Sequence, residues 1–310
     1  MKYIAYHDES KDFGYWHGIY LVPTSTRDYL LSILQGIRNQ YSYKHPIGIK
    51  NIRNINKRYY TALAFLQAGI YSLISKSSKD NYLDYISDIE RSDLFRLIKS
   101  KFIVFRISDS HKSMYDKLDY GAKIETSFRI GLKGGCHRLG SNNDPIELSE
   151  IHFDGHQHYL RHVDKRRIIS KLNNLRDYFN IDPNCKIDDC SSNHTQNNSQ
   201  HYDDCQILQL TDVMIGATRM AYGYYEIQKK NSGEPNEEKK YQKKITMKES
   251  LASPMKELIF KFDEGPRRMS NSRWAHSICF SEAFIDKKND EWIFSQIPFR
   301  SKELQRSLGF

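Results

Sequence analysis

Three aspartates stand where an acid is least expected. Asp8 closes the apolar run KYIAYHD, Asp154 closes IELSEIHFD, and Asp212 interrupts the helix-like stretch Leu208-Gln209-Leu210-Thr211-Asp212-Val213-Met214-Ile215-Gly216-Ala217. A carboxylate in such a stretch carries a large desolvation cost unless it is paired, protonated or bound to a metal. Two strand-terminal acids and one helix acid can meet at one end of a sheet. Such a cluster of hard oxygen ligands suits Mg²⁺ or Mn²⁺. Paired divalent ions about 3.5–4 Å apart activate water and stabilise both oxygens in phosphodiester cleavage. Simpler roles stand beside this one. Asp8 and Asp154, the latter followed by Gly155, suit caps or turns, and Asp212 could pair with a backbone amide or with Arg219.

Other candidates surround these acids. Glu9 joins Asp8 only if the strand bends, because neighbours on a regular strand point to opposite faces. His152, Asp154, His156 and His158 would share a face if the strand ran past Gly155, with His162 beyond. His156, just after the acid, is then the best placed general base; a chain turning at Gly155 would scatter them. Glu125 and Asp109 are spare carboxylates whose simplest reading is surface charge. Cys185, Cys190, His194, His201 and Cys205 supply enough soft ligands for structural Zn²⁺, although their gaps are wider than zinc-knuckle spacings. Arg161, Lys165, Arg166, Arg167 and Lys171, and separately Lys50, Arg53, Lys57 and Arg58 beside Tyr59 and Tyr60, could track phosphates and stack bases, or form solvated faces.

The elements that must position these residues follow from periodicity. Strands are predicted over 2–8, 15–23, 102–107 and 146–154, with a further short strand before the last apolar helix. Helices are predicted over 28–41, 58–75, 112–133, 164–179 and 205–224. This mixed alternation favours an α/β layer architecture with helices against one central sheet. The segment 229–249 is highly charged and reads as a loop or insertion, and the apolar runs after it read as a C-terminal extension, 250–310, packing on a main domain of 1–228.

With 310 residues and 39% apolar content, the chain is long enough and greasy enough to bury a core, which excludes a disordered or collagen-like class. No run approaches the ~20 apolar residues of a membrane span. The opening MKYIAYHDES has no apolar h-region, so no secretory signal is expected. Five cysteines, an odd number, do not suggest a disulfide framework, and a cytoplasmic location follows. The net charge of +9 is compatible with a phosphate-bearing partner and equally with simple solubility.

Tyr6-His7-Asp8-Glu9-Ser10 together with the Leu208–Ala217 motif resembles the family known as domain of unknown function 3800, over roughly residues 3–220. The resemblance implies a ribonuclease H-like mixed central sheet flanked by helices, with acidic metal ligands on the first strand, a central strand and a late helix. By it Asp8, Asp154 and Asp212 are the metal ligands of a nuclease using Mg²⁺ or Mn²⁺ on RNA or DNA. It also implies an effector in a defence or mobile-element system, under the control of a regulatory protein or nucleoprotein partner. Two positions depart from the family pattern: Lys11 stands where a glycine usually follows Asp-Glu-Ser, and Gly48-Ile49-Lys50 lacks the acid of a Glu-Ile-Lys segment. Both departures favour the alternative of a catalytically inactive nucleic-acid-binding or assembly module on the same fold. Substrate strandedness and oligomeric state stay open.

Overall fold

The computed structural model describes residues 1–74, 100–109, 117–139, 144–154, 164–173, 177–190, 202–225, 235–261, 265–268, 273–288 and 291–300. Its strands are β1 (Lys2–Ser10), β2 (Tyr15–Pro23), β3 (Lys101–Ile107), β4 (Ile146–Phe153), β5 (Phe179–Asp189), β6 (Arg267–Arg268), β7 (Ala275–His276), β8 (Phe280–Lys288) and β9 (Glu291–Ser295). The α-helices among the described residues are α1 (Arg27–Tyr41), α2 (Lys57–Leu73), α3 (Tyr120–Gly135), α4 (Lys165–Leu172), α5 (Tyr202–Ala221) and α6 (Pro235–Phe260). The protein is a mixed α/β structure built on one mixed sheet. Its strands run in the order β5-β4-β1-β2-β3-β8-β7-β6, with β9 paired to β8. β1 is central, antiparallel to β2 and parallel to β4; β4 is parallel to β5, and β3 to β8.

Alternation along β1 divides the core. Ile4 and Tyr6 enter a cluster with Trp16, Tyr20 and residues of α1, α2, α5 and α6, whereas Tyr3 and Ala5 enter a second cluster with residues of α3 and α4. Successive strand side chains point to opposite faces, so Asp8 continues the Ile4–Tyr6 series toward α5. β2 is buried throughout, as expected of a strand covered on both sides. Local chemistry marks where helices begin: Asn56, Asp119 and Asp164 accept hydrogen bonds from the amides of Tyr59, Ala122 and Arg167, capping α2, α3 and α4.

Several elements differ from the sequence-based expectations. The helix predicted over 164–179 stops at Leu172, where Asn173 takes an extended ψ of 140°. Phe179 then opens β5, a full edge strand that tolerates Pro183 because an edge needs no ladder donor there. The helix predicted over 112–133 runs from Tyr120 to Gly135, and residues 110–116 lie outside the described residues. The charged segment 229–249, expected as a loop, is helical from Pro235 onward, the first part of α6. That helix is held by Leu251, Ala252, Met255 and Leu258 in the α5-side core. Within the predicted C-terminal extension, β8 pairs with β3 inside the same sheet and buries Phe280, Ala283 and Ile285. No described helix is long and apolar enough to cross a membrane.

β8 also carries Glu282 into the core, where Tyr222 donates to its Oε2. Burial pushes this carboxyl up to about 7, against the hydrogen bonds of Tyr222 and Gln296. The unfolded chain therefore ionises Glu282 before the folded one does, and stability falls as pH rises from about 4.5 through 7. Glu282→Gln removes that loss. Urea unfolding at pH 8 should show the variant more stable by on the order of 2–3 kcal/mol, and about equal to wild type at pH 4.5. A gain of the same size at both pH values would contradict the assignment.

Candidate functional site

The β1–β4 register brings the two strand acids together. His7 pairs with Phe153, and the Asp154 amide donates to the His7 carbonyl at 3.2 Å, extending the ladder so that Asp154 lies beside Asp8. Asp8 is buried and its Oδ1 accepts the Glu9 amide at 2.7 Å; Asp154 and Asp212 are half-buried at the opening. The electrostatics place Asp212 in the same cluster. Asp8 is held well above the usual carboxylate range, first by burial and then by the charges of Asp212 and Asp154. Burial likewise pushes Asp212 up to about 6, with Asp154 and Asp12 adding to it and Lys50 and Arg219 opposing it. Asp8, Asp154 and Asp212 thus share one electrostatic neighbourhood in which burial and like charge disfavour ionisation of Asp8 and Asp212, an arrangement a divalent cation would relieve. Their carboxylate oxygens are not among the groups of described residues with ligand atoms within 4.8 Å of one another.

Each acid is placed by local packing, and α5 sets Asp212. At about 100° per residue, Gln209, Asp212, Gly216 and Arg219 fall in one stripe of the helix. Gln209 Oε1 accepts Arg38 Nη2 at 2.7 Å and the Ile47 amide at 3.0 Å, and Gln206 accepts Arg38 Nε, which ties α5 to the 43–47 segment. Gly216 admits Ile49, whose Cγ2 would lie 2.5 Å from a Cβ there, and so seats Lys50 next to Asp212. On the sheet side Gly18 leaves room for Ile215, which a Cβ would meet at 2.5 Å. The two glycines therefore divide the work: Gly18 lets the helix approach the sheet, and Gly216 lets the Ile49 turn approach the helix.

The β1–β2 turn carries Asp12 to the same opening. Its left-handed residues are Phe13 (φ 60°) and Gly14 (φ 103°), so Lys11 lies outside the positions that need conformational freedom. Arg106 Nε at 3.1 Å and Trp16 Nε1 at 3.3 Å both donate to the Phe13 carbonyl and clamp the turn. Arg219 Nη1 then lies 3.0 Å from Asp12 Oδ2.

Other candidates are placed elsewhere. β1 stays regular through Ser10, so Glu9 faces away from Asp8 and pairs with Lys11 at 3.3 Å. His156, with His158 and His162, lies outside the described residues. His7 and His17 sit at 3.3 Å in the core, where burial lowers both to about 3, so they stay neutral and bring no positive charge to the site near pH 7. Glu125, expected as surface charge, is buried and holds Arg167 at 2.8 Å and Lys171 at 3.5 Å, pinning α4 to α3. Asp109 pairs with Arg106 at 2.9 Å. Lys165 faces Asp188 at 3.8 Å. Ile168 and Leu172 anchor α4 in the α3-side core, so its basic residues lie across the sheet from the acids.

Of the expected cysteine–histidine zinc set, Cys185 belongs to the α3-side core and Cys190 and Cys205 to the α5-side core, while His194 and His201 lie outside the described residues. A different group forms: His152, Cys190 and Asp204 offer ligand atoms within 4.8 Å of one another. His152 Nδ1 meets Cys190 Sγ at 3.5 Å, and its Nε2 lies 3.0 Å from Glu150 and 3.7 Å from Asp204. Asp204 Oδ1 accepts Arg27 Nη2 at 2.8 Å and Tyr6 Oη at 3.0 Å. Despite burial, His152 and Arg27 hold Asp204 below the usual range. The network closes on hydrogen bonds and ion pairs alone, and it fastens the first turn of α5 to β1 and β4.

If Asp212 carries the burial and repulsion described, its ionisation weakens the metal-free fold as pH rises from about 4 through 6. Asp212→Asn should then be more stable than wild type at pH 7.5 in EDTA by on the order of 1–2 kcal/mol, after allowing for solvent screening at a half-exposed group. The difference should shrink toward zero near pH 4. Thermal unfolding at the two pH values checks this, and an equal destabilisation at both would contradict it.

Comparison of the chain with protein-family models, with curated proteins and with solved structures finds no match.

Proposed function

We propose that the protein is a divalent-metal-dependent nuclease that hydrolyses phosphodiester bonds, on a ribonuclease H-like fold. The observation that carries this reading is that Asp154 lies beside Asp8 at the β1–β4 end and that Asp212 is near enough for its charge to act on Asp8, with Lys50 and Arg219 near enough to act on Asp212. Their placement on the first strand, on the parallel strand beside it and on a late helix supports the fold assignment. The donor set fits Mg²⁺ or Mn²⁺, because all three ligands are hard oxygens and a bound cation offsets the like-charge repulsion among the carboxylates. Asp8, Asp154 and Asp212 would hold the ion, which when bound polarises a phosphoryl oxygen and lowers the pKa of water.

The chain's own residues do the rest. Lys50 and Arg219 offset the charge of Asp212 and present positive charge to an incoming phosphate. The buried His152–Asp204–Arg27 network and the Arg38–Gln209 contact keep α5 from moving under that charge. Cytoplasmic location, a defence or mobile-element setting and a regulatory partner belong to the same proposal. Gly48 stands in Gly48-Ile49-Lys50 where the family pattern has an acid, and this favours the inactive module as the second reading.

Labelled single- and double-stranded RNA and DNA, incubated with Mg²⁺ or Mn²⁺, separate the two. The nuclease reading expects cleavage that EDTA abolishes and that Asp212→Asn lowers by at least about a hundredfold. Tight binding of a nucleic acid with no cleavage of any substrate would assign the binding module instead.

A further inference from the structure

Next to the acids lies a second feature that they do not explain. A cleft of about 370 Å³ opens between the β1–β2 turn, the Lys50 turn, the end of α5 and α6. Its walls include Asp12, Phe13, Lys50, Arg219, Tyr225 and Lys248, three cations against one acid. Arg219 is 5% exposed. It ion-pairs with Asp12 at 3.0 Å, yet neither its Nε nor its Nη1 has a hydrogen-bond partner among the described residues. A buried guanidinium edge left unbonded carries a full desolvation penalty, which an anion in the cleft removes. Lys248 is held near Arg219 in spite of like-charge repulsion, and burial and that repulsion both lower its pKa. The Phe13 ring carries the Arg219 guanidinium at 5.4 Å and that of Arg300 at 4.5 Å, so the turn and the C-terminal segment concentrate positive charge at this end of the site. The volume falls in the range of small-molecule sites, ~300–1,000 Å³, larger than one phosphate needs.

We infer that this cleft is a phosphate-binding subsite for a nucleic-acid strand, in which Arg219, Lys50 and Lys248 hold a backbone phosphate next to the one presented to Asp8, Asp154 and Asp212. The inference rests on the nuclease reading for its strand, and on the cleft alone for its phosphate. Asp12 sets the position of the guanidinium through the 3.0 Å ion pair, while Nε and Nη1 both lack a hydrogen-bond partner among the described residues and are left for the ligand. α6 takes part through Lys248, which gives the helical part of the charged 229–249 segment a role at the site.

The test is fluorescence anisotropy of a labelled single-stranded 12-mer in EDTA, so that binding is read without cleavage, with ATP as a parallel titrant. Lys248→Glu is the main variant, because it places an acid beside Arg219 and keeps the fold. Arg219→Lys is the second, with unfolding curves to confirm both are folded. Arg166→Glu, on the opposite side of the sheet, controls for net charge. Expected are at least a tenfold weaker 12-mer Kd in Lys248→Glu, a salt slope smaller by about 0.7, and little change in Arg166→Glu. ATP binding lost in Lys248→Glu without 12-mer binding would keep the phosphate site and assign it to a free nucleotide. Equal weakening in Lys248→Glu and Arg166→Glu, or no binding of either probe, would overturn the subsite. Cleavage by wild type with unchanged Lys248→Glu binding would do so while leaving the nuclease reading intact.

Discussion

The close packing of α5 on β1 and β2 governs the rest of the molecule. An α-helix can approach a sheet closely only where side chains yield, and here Gly18 yields to Ile215 at the level of the strand ends. Once the helix is at that height, its fastenings follow in order. Asp204 meets Tyr6, Arg27 and His152 in the first turn, Gln206 and Gln209 take Arg38 in the middle, Gly216 receives Ile49, and Arg219 reaches Asp12 near the end. Asp212 has no freedom left between these fixed points. Its charge is therefore brought to Asp8 and Asp154 by packing, at an electrostatic cost the metal-free protein carries.

That cost is organised by faces. On β1, Tyr6 and Asp8 look toward α5 and His7 and Glu9 toward α3, so the adjacent residues of Tyr6-His7-Asp8-Glu9 belong to different environments. His7 is neutral in the core, Glu9 is paired at the surface, and only Asp8 joins the acids. Cations are divided in the same way. Arg167 and Lys171 are spent on Glu125 across the sheet, whereas Lys50, Arg219 and Lys248 gather beside the acids. The strongly basic helix is thus structural in part, and the functional positive charge comes from three separate segments.

The main elements and the acids were legible because each rests on a local rule. Strand alternation in KYIAYHD, the β-branched run of β3 and the apolar spacing of α1, α2 and α5 point to the right structures. Asp8, Asp154 and Asp212 stood out because an acid in an apolar run is itself unusual. The rest depends on pairing over long sequence distances. β5 is polar and carries a proline, so the sequence shows a short strand there but not its full run from Phe179 to Asp189. β8 looks like any apolar tail until it is seen beside β3. Arg219 shared a helical stripe with Asp212 and was visible as its neighbour, but Lys248 had no signal within a charged segment, and Asp12 belongs to a turn whose strained residues are Phe13 and Gly14.

The central claim is that Asp8, Asp154 and Asp212 act as one cation site. Isothermal titration of the metal-free protein with Mn²⁺ at pH 7.5 tests it most directly, alongside Asp8→Asn and Asp212→Asn. The account predicts saturable binding to the wild type with at least one equivalent, accompanied by proton release, and at least a tenfold weaker Kd in each variant. Binding that is absent from the wild type, or unchanged in both variants, would contradict it.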